Sequence, residues 1–192
     1  MRKFSEDIAR YRAKGNSGKE LWLNAAVWAI AAYRLANWLN TSPPNAIVRI
    51  PLKLVSFAAT KWCEIFLEMH LNPGATIGGG LYISHNGGVH INPLAVIGKN
   101  CDIAHHVTIG ASGMGRKGVP ILGDEVYVGT GATLVGRIRI GRGAKIAANT
   151  LVISNVPERA TVMGVPGRVF PAAPRPVEDV AAVVAETTDA SG

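Results

Sequence analysis

The sequence predicts a mainly β protein, a parallel β-helix of hexapeptide repeats preceded by a small α-helical segment. Three observations carry this reading. From Leu71 onward an Ile, Leu or Val recurs at every sixth position, a period that belongs neither to an α-helix nor to a two-faced strand. The next position is often glycine, as at Gly78, Gly98, Gly110, Gly123, Gly129 and Gly141. The fifth is small or apolar, as at Ala75, Leu81, Cys101, Val107, Ala132 and Ala144. The first seventy residues carry no such period and read as helices.

Taken in order, the helical segment (1–70) opens with Ser5, a candidate N-cap backed by Glu6 and Asp7, for a helix to about Ala13 that the Gly15-Asn16-Ser17-Gly18 cluster ends. A second helix is expected from Leu21 to Leu39, where Val27, Ile30, Arg34, Leu35 and Trp38 follow a 3.6-residue period; the Thr41–Asn45 run breaks it. A third is expected from Pro51 to Glu68. The apolar faces of these helices suit packing on each other or on a neighbouring subunit, while their tryptophans and lysines leave peripheral membrane contact as the other reading.

The repeat domain (71–170) runs in three phases. Leu71, Ile77, Ile83 and Val89 form the first, Ile91, Ile97, Ile103 and Ile109 the second, and Leu122, Val128, Leu134, Ile140, Ile146 and Val152 the third. Each hexad is one strand and one turn, three close a triangular coil, and stacked coils turn their apolar residues inward. No coil buries its core alone. Cys101 occupies a small inward slot, where packing is expected of it rather than reactivity. Residues 171–192, rich in Ala, Pro and acid without period, are expected to be a disordered tail.

Composition narrows the function classes. An apolar fraction of 48% with 17% charged residues excludes a largely disordered chain. Two cysteines make no disulfide framework, and no paired spacing offers a zinc site. The net charge of +7 favours an anionic partner. Nucleic acid fits poorly, since no basic helix or aromatic-lined sheet motif accompanies that charge. Residues 1–20 mix both charge signs and lack an apolar core before a small-residue cleavage site, so no secretory signal is expected, and the apolar stretch from Leu21 to Tyr33 is shorter than the roughly 20 residues of a spanning helix. A cytoplasmic protein, at most attached to the inner face of the membrane, is expected.

Four of the five histidines lie in the repeat, at His85, His90, His105 and His106, and His70 stands just before it. His85 and His105 both hold the third place of their hexads. Their separation of twenty residues is one eighteen-residue coil plus the two-residue slip, so they are expected on one edge, one coil apart. Asn86-Gly87-Gly88 opens space beside His85, which makes it the better candidate base.

The run Ile77-Gly78-Gly79-Gly80-Leu81-Tyr82-Ile83-Ser84-His85, then Gly88-Val89-His90-Ile91-Asn92-Pro93, Val107-Thr108-Ile109-Gly110 and Gly164-Val165-Pro166-Gly167-Arg168, resembles the serine acetyltransferase group of hexapeptide acyltransferases. The resemblance spans about residues 65 to 170. It implies a left-handed β-helix, a homotrimer, acetyl-CoA as donor and His85 at the family's catalytic histidine; no metal is expected. Departures accompany it. Ser84 and His70 stand where that family carries aspartates, Gly118-Val119-Pro120 stands where it carries an Arg-His-Pro run, and the helical region is about half as long. Ile91-Asn92-Pro93 is instead similar to the acetyltransferases of exopolysaccharide and capsule assembly. A sugar hydroxyl is therefore the expected acceptor, with L-serine the alternative.

An acceptor hydroxyl attacks a thioester at neutral pH when a positioned base removes its proton, and imidazole suits that task. His85 is the expected base, oriented by Ser84, Glu68 or a backbone carbonyl, and the N–H of Ala111 the expected oxyanion donor. Ser84, Asn86 and Asn92 are the expected acceptor ligands. For the CoA moiety, Gly110 and Ala111 offer close backbone approach, Gly131, Ala132 and Ala148 fit the family's small-residue pattern, and Lys145 and Arg168 meet phosphates. The loop from Ala111 to Val119 is expected to cover the pantetheine arm. Two further readings compete: a γ-carbonic-anhydrase-like zinc site, for which His85 and His90 lack the upstream third histidine, and a non-catalytic scaffold.

Overall fold

A computed structural model describes residues 2–16, 18–42, 44–113 and 118–172. Four helices come first: α1 (Arg2–Ala13), α2 (Gly18–Leu23), α3 (Ala25–Thr41) and α4 (Ala46–Phe66). Fifteen short strands among the described residues then wind into a parallel solenoid. One face stacks β1 (Met69–Leu71), β4 (Val89–Ile91), β7 (Thr108–Gly110), β10 (Thr133–Val135) and β13 (Leu151–Val152). The second stacks β2 (Thr76–Ile77), β5 (Val96–Ile97), β8 (Ile121–Leu122) and β11 (Arg139–Ile140). The third carries β3 (Tyr82–Ile83), β6 (Asp102–Ile103), β9 (Tyr127–Val128), β12 (Lys145–Ile146) and β14 (Thr161–Met163). It ends in β15 (Arg168–Phe170), which turns back antiparallel on β14.

Every residue of the three phased runs is buried, and so are the small fifth-position residues. The glycines of the repeat mark where coils touch. A Cβ on Gly98 would lie 2.5 Å from the Gly123 carbonyl group, and one on Gly129 2.7 Å from the Ala148 nitrogen. At one corner Glu68, His106 and Asn149 adopt positive φ, alternating in the stack with Gly88 and Gly131. The Gly131 site shows why: the Asn149 side chain lies across it, and a Cβ there would sit 2.1 Å from Oδ1.

The helices close the open end of the solenoid, whose first strands would otherwise present unpaired backbone groups. The Tyr11 hydroxyl donates to the Ile83 carbonyl (2.9 Å) and accepts from the Ile83 N–H (3.0 Å). Tyr33 and Asn37 donate to the Ala75 carbonyl. Asp7, fully buried, accepts from the Leu81 N–H at 2.8 Å and pairs with Arg34, which also donates to the carbonyls of Ile77 and Gly78. Burial pushes the Asp7 carboxyl above its ordinary range, and the Arg34 pairing draws it back. Below these contacts Tyr11, Leu21, Val27, Ile30 and Tyr33 join the core of the coils.

Three expectations for the helices change. Ser5 lies inside α1 and does not cap it. The second expected helix breaks at Asn24, whose side chain accepts from the Ala26 N–H and so starts α3 afresh. The third begins at Ala46, five residues before Pro51. Proline there deprives only the Ile47 carbonyl of its helical donor, and Ile47 is exposed to water. Within this chain α4 buries only Ser56 and Cys63, leaving Ile47, Ile50, Leu54, Ile65 and Phe66 exposed. No helix among the described residues is long and apolar enough to cross a membrane. The expected tail lies, from residue 173 onward, outside the described residues.

Candidate active site

Strand register sets the first half of the site. Ile83 pairs with Ile103, Ile103 with Val128, and Val128 with Ile146, so the residues two places on, His85, His105, Thr130 and Ala148, stack up one edge. The His85 and His105 rings meet edge to face, 5.5 Å between centroids, and His106 lies 5.3 Å from His105. The two-residue slip falls in the Asn86–Gly88 turn. Gly88 has φ +64°, and a Cβ there would lie 2.1 Å from His106 Nδ1. His85 is exposed, and among the described residues no hydrogen bond holds its ring. Of its expected orienting groups, Glu68 comes near the same turn: a Cβ on Gly87 would be 3.9 Å from Glu68 Oε2. His105 Nδ1 is buried and has no hydrogen-bond partner among the described residues.

The second half is a cleft of about 240 Å³ on the β1–β4–β7 face, lined by His70, His90, Asn92, Thr108 and Gly110. His70, His90 and Thr108 are in register on successive strands. The rings of His70 and His90 stack at 6.3 Å and 25°. His70 Nδ1 lies 3.0 Å from Glu64 Oε1, and Lys61 holds the other oxygen of that carboxylate. Asn92 serves the turn as well as the cleft: its Oδ1 accepts from the Leu94 N–H, as Asn72 Oδ1 does from Gly74, which leaves its amide hydrogens for a ligand.

Gly110 has no such structural reason to be glycine. Among the described residues a Cβ there would meet only Thr108 Cγ2, at 3.8 Å, so the cleft and not the coil accounts for the missing side chain. Gly98→Ala is accordingly expected to destabilise the protein by about 1–3 kcal/mol, a fall in Tm of several degrees. Gly110→Val is expected to hold the wild-type Tm and lose affinity for CoA. Calorimetric melting with CoA titration checks both; equal Tm losses would show that Gly110 is structural too.

The remaining expected site residues separate. Ser84 and Asn86 flank His85, and Ser84 N–H stays in the strand ladder with the Ile103 carbonyl. Gly131 and Ala148 lie on the His85 edge above it, whereas Lys145 and Arg168 stand exposed on the adjoining face, on β12 and β15. The Ala132 methyl is sealed in the core at 0% exposure, so that side chain packs and does not touch a cofactor. Ala111 is exposed at the far edge of the β7 face, roughly 15 Å along the chain from the histidine edge at about 3.3 Å per residue. Within one chain it is no neighbour of His85. Of the covering loop, residues 114–117, with Gly115, Arg116 and Lys117, lie outside the described residues. Burial pushes the Cys101 thiol up to about 11, which keeps it protonated and inert.

Sequence reasoning named His70 only as a departure from the family's aspartate and His90 only in the zinc reading, and passed over Glu64 altogether. The signal was present, because His70 and His90 are separated by the same twenty residues that link His85 to His105.

Stacked three-hexad coils with histidines along one edge and a helical cap define a hexapeptide-repeat β-helix protein. No family model matches the chain. A Serine acetyltransferase of Helicobacter pylori is 37% identical over 153 residues, covering 79% of this chain and 85% of that protein. One of Mycobacterium tuberculosis is 40% identical over 145 residues, 75% of this chain, and there the chain spans only 60% of its relative's length. Soybean Serine Acetyltransferase solved in complex with serine superposes with a TM-score of 0.74 at 32% identity, covering 87% of this chain and 68% of that one. The chain belongs to the serine acetyltransferase family.

Proposed function

We propose that the protein is an acetyl-CoA-dependent O-acetyltransferase whose acceptor is L-serine. The observation that carries this is the likeness to the Helicobacter pylori Serine acetyltransferase across 85% of its length, with His85 held on the coil edge. Neighbours solved in complex with serine and in complex with CoA support both substrates. In the proposed reaction His85 takes the proton of the serine hydroxyl as its oxygen bonds to the thioester carbon. A backbone N–H, that of Ala111, meets the oxyanion, and His85 returns the proton to the departing thiolate sulfur. Because Ala111 and His85 lie on opposite edges of one chain, the reading puts the thioester between copies, His85 from one and Ala111 from another, as a homotrimer allows. The exposed apolar face of α4 supports contact with further copies.

The departures at Ser84, His70 and Val119 favour a second reading, a sugar hydroxyl, since an amino acid brings an ammonium and a carboxylate that cost several kcal/mol if desolvated unpaired. CoA release measured with L-serine in one series and nucleotide- or lipid-linked sugars in another separates the two. Saturable turnover at a specificity constant of about 10⁴ M⁻¹s⁻¹ or above with L-serine is expected. Turnover with the sugars alone would overturn the serine reading, and turnover with neither would overturn acetyl transfer to these acceptors.

A further inference from the structure

The proposed reaction asks of His85 a fixed direction that its own surroundings do not supply. Its ring is exposed and, among the described residues, no hydrogen bond holds it. Yet a base must aim one nitrogen at the acceptor hydroxyl and then at the departing sulfur. The neighbour in place to fix it is His105, whose ring meets that of His85 edge to face, 5.5 Å between centroids and 80° between planes. The reaction gives His105 no other task.

His105 is itself well held. Its carbonyl accepts from the Gly131 N–H of the next coil at 3.1 Å, and the N–H of His106, one residue on, donates to the Gly87 carbonyl at 2.9 Å. Its ring is half-buried, with Nδ1 inside and without a hydrogen-bond partner among the described residues. A buried N–H without an acceptor costs more than a buried lone pair, so the bare Nδ1 turns inward and the hydrogen sits on Nε2. A third ring, that of His106, lies 5.3 Å from it at 69°. His106 occupies space that Gly88 leaves open, since a Cβ on Gly88 would collide with its Nδ1.

We infer that His105 is a positioning residue for the base: its ring, fixed by the coils, restrains the exposed His85 ring in the direction that reaches the acceptor. The buried nitrogen makes no bond, so the ring acts through its shape and its aromatic face and not by passing a proton. An aromatic pair in this geometry biases orientation by roughly two- to tenfold. This role rests on the transfer reading, with His85 as the base.

Three substitutions separate the ring from its nitrogens. His105→Phe keeps an aromatic ring, His105→Leu fills the space without one, and His105→Ala empties it. His105→Ala and His105→Leu are expected to lower kcat about five- to tenfold with KM for both substrates unchanged, because a misaimed base slows the chemical step and leaves binding alone. His105→Phe is expected to stay within about twofold and, having lost no hydrogen bond, to melt no lower than the wild type. Carbon-13 relaxation of the His85 ring reads the restraint without turnover: an order parameter of about 0.8 is expected in the wild type and in His105→Phe, and one below about 0.6 in His105→Leu. Wild-type kcat in folded His105→Leu would show that the ring restrains nothing, and an equal loss in His105→Phe would show that a nitrogen acts directly. Either result overturns the inference, as does a His85 ring equally ordered in His105→Leu and the wild type. These failures leave the transfer reading standing, whereas a wild type that transfers acetyl to neither L-serine nor the sugars overturns that reading and this role with it.

Discussion

His85→Ala is expected to lower acetyl transfer by about 10²–10⁴-fold with the fold intact, the usual contribution of a general base. The fold survives because the side chain is exposed, with the His105 ring edge to face against it at 5.5 Å. Loss of the ring removes no core contact. Circular dichroism and melting should match the wild type while single-turnover CoA release collapses; near wild-type turnover in folded His85→Ala would remove the mechanism. The same variant tests whether sites are shared. Mixed with Gly110→Val during refolding, a protein blocked at the other edge of the face, it is expected to regain up to about a quarter of wild-type activity if His85 and the Ala111 edge come from different copies. No recovery would mean that both act from one chain.

Breaking the Asp7–Arg34 pair is the second large effect. Asp7→Ala leaves the Arg34 guanidinium, 8% exposed, without its carboxylate and strands the Leu81 N–H, so a loss of about 3–5 kcal/mol is expected. Replacing the pair by Leu and Met together is often neutral for buried ion pairs, yet here it is expected to recover only part. Arg34 also serves the Ile77 and Gly78 carbonyls, and an apolar side chain cannot. Urea unfolding of the two proteins measures the difference. A double variant as stable as the wild type would show that water satisfies those backbone groups and that the helical cap is not polar in origin. The cap matters to function because the Ile77–Ile83 stretch it secures leads directly into His85.

Much of the fold was legible in the chain. A six-residue period needs no partner to be read, since each inward residue depends on its own place in a coil, and all the residues of the phased runs are buried. The same arithmetic brought His85 and His105 together, because parallel strands in register carry sequence offset directly into space. Capping was harder. Asn24 breaks a helix through one side-chain hydrogen bond that no period announces, and Pro51 reads as a start only when the exposure of Ile47 is unknown. Ala132 holds the same small fifth position as Cys101, so the period already pointed it inward, and its burial leaves the side chain to packing.

What the sequence by itself determined was therefore everything that repeats: the parallel coils, their buried faces, the stacked histidine edge and the family likeness. Only the tertiary structure decided what joins elements of different period. It brought Glu64 of a helix to His70 of a strand, closed the first coil with Tyr11, Asp7 and Arg34, and set Ala111 across the face from His85. The physical reason is that a repeat propagates nearest-neighbour contacts along one axis, whereas a helix laid across the end of that axis chooses its partners by shape, charge and the unpaired backbone it must cover.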